Sequence, residues 1–120
     1  MASTQDLIKT AIERFQADVP ALAQLKLVFE LELMGRGDVQ MFRVELPGPQ
    51  ISKASTQDAR VTLTIQRSSF NQLATEGHVA EYRQAWESGL IKATGDPNIQ
   101  KLIAQVVERH EQRARTKKVH

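Results

Sequence analysis

A single α+β domain is what these 120 residues predict. Three observations lead there. Apolar residues recur at helical spacing near both ends of the chain, four stretches between them alternate apolar with polar residues, and a two-helix excursion separates the last of those stretches from the others. A chain of this length accommodates one ordinary hydrophobic core and not two.

From Ser3 to about Gln16, the residues Leu7, Ile8, Ala11, Ile12 and Phe15 make the stripe of an amphipathic helix, with Ser3 or Thr4 as N-cap ahead of Asp6. Pro20 breaks that pattern. From Leu25 on, Leu25, Leu27, Phe29, Leu31 and Leu33 alternate with Lys26, Val28, Glu30 and Glu32, which predicts a strand with one buried face. Gly35-Arg36-Gly37-Asp38 reads as a turn, and Val39 to Leu46 as the second arm of a hairpin with Phe42, Val44 and Leu46 inward. Pro47-Gly48-Pro49 ends that arm, and Gln50 to Ala54 is expected as a short edge strand guarded by Lys53. A fourth strand follows in Ala59, Val61, Leu63 and Ile65, alternating with Arg60, Thr62, Thr64 and Gln66.

Ser68 or Ser69 is expected to cap a short helix carrying Phe70, Leu73 and Ala74, which Gly77 ends in the left-handed C-cap conformation. A second helix, about Val79 to Ser88, places Val79, Tyr82 and Trp86 on one side and stops at Gly89. Leu90 to Thr94 is the fifth strand, expected to cross over the sheet and lie parallel to a neighbour. Asp96 as N-cap and Pro97 at the first helical position open the last helix, whose stripe is Ile99, Leu102, Ile103, Val106 and Val107. The domain is expected over residues 1–110, with 111–120 as a solvated basic tail.

Composition narrows the function. Apolar residues make up 41% and charged residues 25%, values of ordinary globular domains rather than disordered or membrane-embedded chains. No apolar run approaches the roughly 18 residues of a membrane span, and the N-terminus lacks the order of a signal peptide, so a cytoplasmic location is expected. The absence of cysteine excludes disulfides, thiol catalysis and thiolate metal sites. Part of the net charge of +2 belongs to Arg113, Arg115, Lys117 and Lys118, leaving a nearly neutral body and no expectation of a nucleic-acid partner. Such a tail is compatible with transient membrane contact at most.

Catalytic marks are missing. His78, His110 and His120 are scattered, without metal-site spacing, and the chain has no nucleophile elbow, phosphate-cradling glycine loop or zinc-protease helix. Glu30 and Glu32 fall on the wet side of a strand, and Arg36-Gly37-Asp38 is explained by its turn rather than by cell adhesion. Neither a cofactor nor a metal is expected. An enzyme built on His78 or the acidic residues is the weakest of the readings considered.

One passage ties these elements together. Gly89-Leu90-Ile91-Lys92-Ala93-Thr94-Gly95-Asp96 is a short strand between two glycines that leads straight into a long helix, and upstream ARVTLTIQRSSFNQLATEG passes from strand to helix to glycine. From about Leu25 to Val107 this succession resembles the sterol carrier protein 2 (sterol-binding domain) family. The resemblance implies a five-stranded mixed, mainly antiparallel sheet covered on one face by helices, with an apolar tunnel between them. It further implies binding of a fatty acid, fatty acyl-CoA, prenyl lipid or sterol without metal or covalent chemistry; some relatives serve as accessory domains of larger enzymes. On that footing the tunnel lining is expected from Phe70, Leu73, Tyr82, Trp86, Ile91, Ala93, Ile99, Leu102, Ile103 and Val106, with the last helix above Ile91 and Ala93.

The expected function is thus a non-enzymatic intracellular lipid-binding or lipid-transfer protein. The few aromatic residues favour a flexible acyl or isoprenoid guest over a rigid sterol. The alternative is an interaction or dimerisation module of the same fold, accessory to an enzyme. The ending Lys118-Val119-His120 differs from the peroxisomal Ser-Lys-Leu address, again favouring the cytoplasm.

Overall fold

A computed structural model describes residues 3–53 and 57–118, the last five of them as backbone only. Helix α1 (Thr4–Asp18) and a 3-10 turn (Pro20–Gln24) precede strands β1 (Leu27–Met34), β2 (Val39–Leu46), β3 (Gln50–Ser52) and β4 (Val61–Gln66). Helices α2 (Arg67–Glu76) and α3 (Val79–Glu87), strand β5 (Ile91–Gly95) and helix α4 (Pro97–Lys118) complete the chain. Ala54, the expected end of the third strand, and His120 lie outside the described residues.

The five strands stand in the order β3-β2-β1-β4-β5. The hairpin pairs β1 with β2 antiparallel, Leu31 opposite Phe42, as its alternation and Gly37 turn dictate. Ser52 pairs with Arg43, Arg43 with Glu30, and Glu30 with Thr62, so β3 ends level with the start of β4 on the far side of β1. That return makes β1 and β4 parallel. β5, expected to be parallel to its neighbour, instead runs antiparallel to β4, with Ile65 opposite Ile91 and Val61 opposite Gly95. One helix between strands reverses the chain once and brings it back parallel; two helices reverse it twice, and β5 comes back in the opposite sense.

Because paired residues share a face, the register places Leu31, Leu33, Phe42, Val44 and Ile65 together beneath α1 and α2. Their core is completed by Ile8 and Ala11 of α1 and Phe70 and Ala74 of α2, and Leu33 and Val44 are 0% exposed. Helix α1 begins in a capping box, the Ser3 hydroxyl accepting from the Asp6 amide at 3.2 Å while the Asp6 carboxylate accepts from the Ser3 amide. The other sheet face is polar, with Glu30, Arg43 and Thr62 in one cross-strand row. There Arg43 donates to both carboxylate oxygens of Asp58, at 3.1 and 2.7 Å, and to Glu45.

A second, smaller cluster holds Val19, Leu22 and Val79, with Phe15, Leu25, Val106 and Val107 packed around it. The 3-10 turn that Pro20 opens supplies Leu22, and it draws α4 toward itself. The apolar Val106 and Val107 of α4 belong to this second cluster, apart from the one on the sheet. Two smaller expectations also change. Helix α2 starts directly at Arg67 with no side-chain cap from Ser68 or Ser69, since β4 runs into it without a loop. Gly77 has φ −79°, outside the left-handed region, and is required for another reason: a Cβ there would lie 2.6 Å from the Leu73 carbonyl oxygen.

Candidate functional site

The strand that leads into α4 is held at both ends by glycine. Gly89 turns out of α3 with φ +83°, a left-handed conformation reached in open space. Gly95 has φ +113° and lies so close to the start of β4 that a Cβ would meet the Arg60 carbonyl oxygen. The backbone contact is reinforced next door: the Asp96 amide donates to Arg60 O at 2.9 Å, and the Arg60 guanidinium donates to the Asp96 carboxylate at 3.1 Å. Asp96 also caps α4 by accepting from the Asn98 amide at 2.9 Å. Arg60, then that amide, hold the Asp96 carboxyl below its ordinary range.

The described residues show an open cleft where α2 and α3 part, and do not show the enclosed apolar tunnel the resemblance implies. Ile8, Phe42, Phe70 and Ala74 pack over the central strands, while the cleft lies between the two helices. The cleft there has a volume of about 330 Å³, at the small end for ligand pockets. One wall is Ser69, Gln72, Leu73 and Glu76 of α2, the other Glu81, Gln84 and Ala85 of α3, with Gly77 where the helices join and Ser88 and Leu90 beyond α3. The spacing i, i+3, i+4 and i+7 on each helix turns one stripe toward the other. Leu73 is both a wall residue and part of the packing around the sheet core.

Its charge is one-sided. Arg67, the base of α2, donates to Asp38 at 3.0 Å, and Arg83, the base of α3, is divided between Glu87 and Glu111, each at 3.0 Å. His78 in the link faces Asp18 at 3.3 Å. The Glu76 and Glu81 carboxylates have no hydrogen-bond or ion-pair partner among the described residues. Those residues also contain no group of three or more His, Cys, Asp and Glu placed to hold a metal ion, and none of their helices is long and apolar enough to cross a membrane.

The structure brings three of the residues expected around the guest together: Leu73 in the cleft wall, Phe70 buried behind it, and Ile91 on the inner face of β5 against the same core. Ala93 lies on that face opposite Leu63, half-buried. Tyr82 and Trp86 occupy a different stripe of α3 from the cleft wall. Tyr82 meets Phe15 edge to face, centroids 5.3 Å apart, and burial pushes its hydroxyl up to about 12. Trp86 is 41% and Leu102 44% exposed, Ile99 and Ile103 are half-buried, and Val106 sits in the second cluster. The polar wall residues Gln72, Glu76, Glu81 and Gln84 look in the sequence like ordinary wet helix sides. The signal that could have found them is the two-residue link Gly77-His78, too short to let the helices separate widely.

No protein-family model matches the chain, and no curated protein matches its sequence. Solved structures do. The solution structure of palmitated SCP2L2 from Aedes aegypti is 22% identical with a TM-score of 0.58, the match covering 83% of this chain and 93% of that one. Sterol carrier protein 2 from Aedes aegypti in complex with a C16 fatty acid, palmitate, is 17% identical at a TM-score of 0.58, covering 89% and 96%. The sec-alkyl sulfatase PisA1 matches at 14% identity and a TM-score of 0.59, over 88% of this chain and 16% of the enzyme. The five-stranded α+β architecture is therefore the fold of sterol carrier protein 2-like domains.

Proposed function

We propose that this chain is a non-enzymatic lipid-binding and lipid-transfer protein of the cytoplasm. Its guest is a single-chain lipid whose tail enters between α2 and α3 over Leu73 and Leu90 and lies toward Phe70 and Ile91. Half-buried Ala93, Ile99 and Ile103 border its further course, while Tyr82, Trp86, Leu102 and Val106 lie outside the first point of entry. The observation that carries this reading is a cleft whose wall residue Leu73 also packs against the apolar core of the sheet, in a fold two of whose solved examples hold palmitate.

Burial supplies enough energy without a catalytic group. At about 0.8 kcal/mol per methylene a twelve-carbon tail gives on the order of 10 kcal/mol gross. Association costs about 4–15 kcal/mol, so an affinity of roughly tens of micromolar is reached when that cost lies near its lower bound. Native mass spectrometry of the purified chain, followed by organic extraction, tests the reading. A retained or added lipid should appear at one per chain and raise the melting temperature; no lipid retained and none bound on addition would end it.

A second reading is favoured by one observation, the match to a domain that forms a small part of a sulfatase. The chain would then be an accessory or dimerisation module with a filled core. Concentration-dependent mass without extractable lipid is its expected signature.

A further inference from the structure

We infer that the cleft between α2 and α3 selects its guest by the head group: it takes a single-chain amphiphile ending in an amine or hydroxyl and disfavours one ending in a carboxylate or phosphate. This rests on the lipid-binding reading and narrows it. Glu76 and Glu81 stand on the two walls at the end where Gly77 and His78 join the helices, and Gln72 and Gln84 follow on α2 and α3. The arginines of α2 and α3 are turned to acids elsewhere, Arg67 to Asp38 and Arg83 to Glu87 and Glu111, and His78 in their link faces Asp18. What remains facing the guest is two carboxylates without partners among the described residues, the Gln72 and Gln84 amides, the Ser69 and Ser88 hydroxyls, and an apolar floor at Leu73 and Leu90.

These groups suit donors. An ammonium offers three N–H groups and no acceptor, and a hydroxyl can donate to a carboxylate, whereas an anionic head offers only acceptors to a wall whose charged groups are themselves acceptors. Charge acts in the same direction: one unit charge about 5 Å from a carboxylate in a half-open site changes affinity by roughly tenfold, favourably for a cation and unfavourably for an anion. The tail contributes equally in all cases, because its methylenes meet the same apolar floor.

Dodecylamine, dodecanol and laurate share one tail length and differ in the head. Their affinities for the intact chain, measured at pH 7 and low salt by displacement of a neutral fluorescent probe, are expected in the order amine, alcohol, laurate, the amine at least tenfold tighter than laurate. In the Glu76→Gln/Glu81→Gln double variant that ratio should fall below about threefold, and in Glu81→Lys laurate should gain. Both positions are exposed, so circular dichroism and melting temperature should stay near those of the parent. Laurate binding as tightly as the amine, or a preference the double variant leaves intact, overturns the inference while leaving lipid binding in place. Failure of all three amphiphiles to bind removes both.

Discussion

Alanine substitution at three glycines separates the costs that position the last strand. At Gly48 a Cβ meets nothing within 4 Å and the backbone has no positive φ, so Gly48→Ala should be neutral or slightly stabilising, by about 0–1 kcal/mol. Gly89 also has open space around it but sits at φ +83°. Gly89→Ala should therefore cost only the left-handed penalty of about 1–2 kcal/mol. Gly95 combines a φ of +113° with backbone directly in the way, at Arg60 O and, 3.0 Å off, Val61 Cα. Its substitution carries a conformational cost of about 1–3 kcal/mol, and β4 or β5 must also shift, giving roughly 3–4 kcal/mol in all. Urea unfolding at 25 °C reads the series. With a slope of about 1–3 kcal/mol per molar, Gly95→Ala should lower the midpoint by roughly 1–4 M. The reasoning fails if Gly95→Ala unfolds within about 0.5 kcal/mol of the parent, or if Gly89→Ala proves the more damaging of the two.

Other consequences are open to measurement. Leu33 is fully buried among α1, β2 and α2 residues, so Leu33→Ala should cost about 2–5 kcal/mol and lower the melting temperature on the order of 10 °C in calorimetry. Tyr82 is the single tyrosine, so absorbance at 295 nm should titrate with one midpoint near 12 in the native chain and near 10 in denaturant. A phenol raised in the folded state leaves stability intact below about pH 10 and removes it as pH climbs toward the folded value, a loss Tyr82→Phe should abolish. For Asp96 the sign is opposite: its folded carboxyl is depressed by Arg60 and the Asn98 amide, so its contribution is present above about pH 4 and lost as pH falls further. Thermal melts between pH 6 and 3 should accordingly fall more steeply for the parent than for Asp96→Asn.

Much of the architecture was legible in the chain itself. The Ser3 cap, the stripe of α1, the β1–β2 hairpin, the Asp96-Pro97 helix start and the two glycines around β5 all follow from side-chain period and turn chemistry, which act over a few residues. Those local rules say which face of an element is apolar and where it stops, and they say nothing of what that face will meet. The direction of β5, the capture of α4 by the 3-10 turn through Val106 and Val107, and the separation of Trp86 and Leu102 from Phe70 and Leu73 were decided only by tertiary packing. The same holds for the cleft. Glu76 and Glu81 belong to two helices whose wet stripes look unremarkable alone; they line one cleft where the Gly77-His78 link joins those helices, and a gap between two helices is a property of the pair.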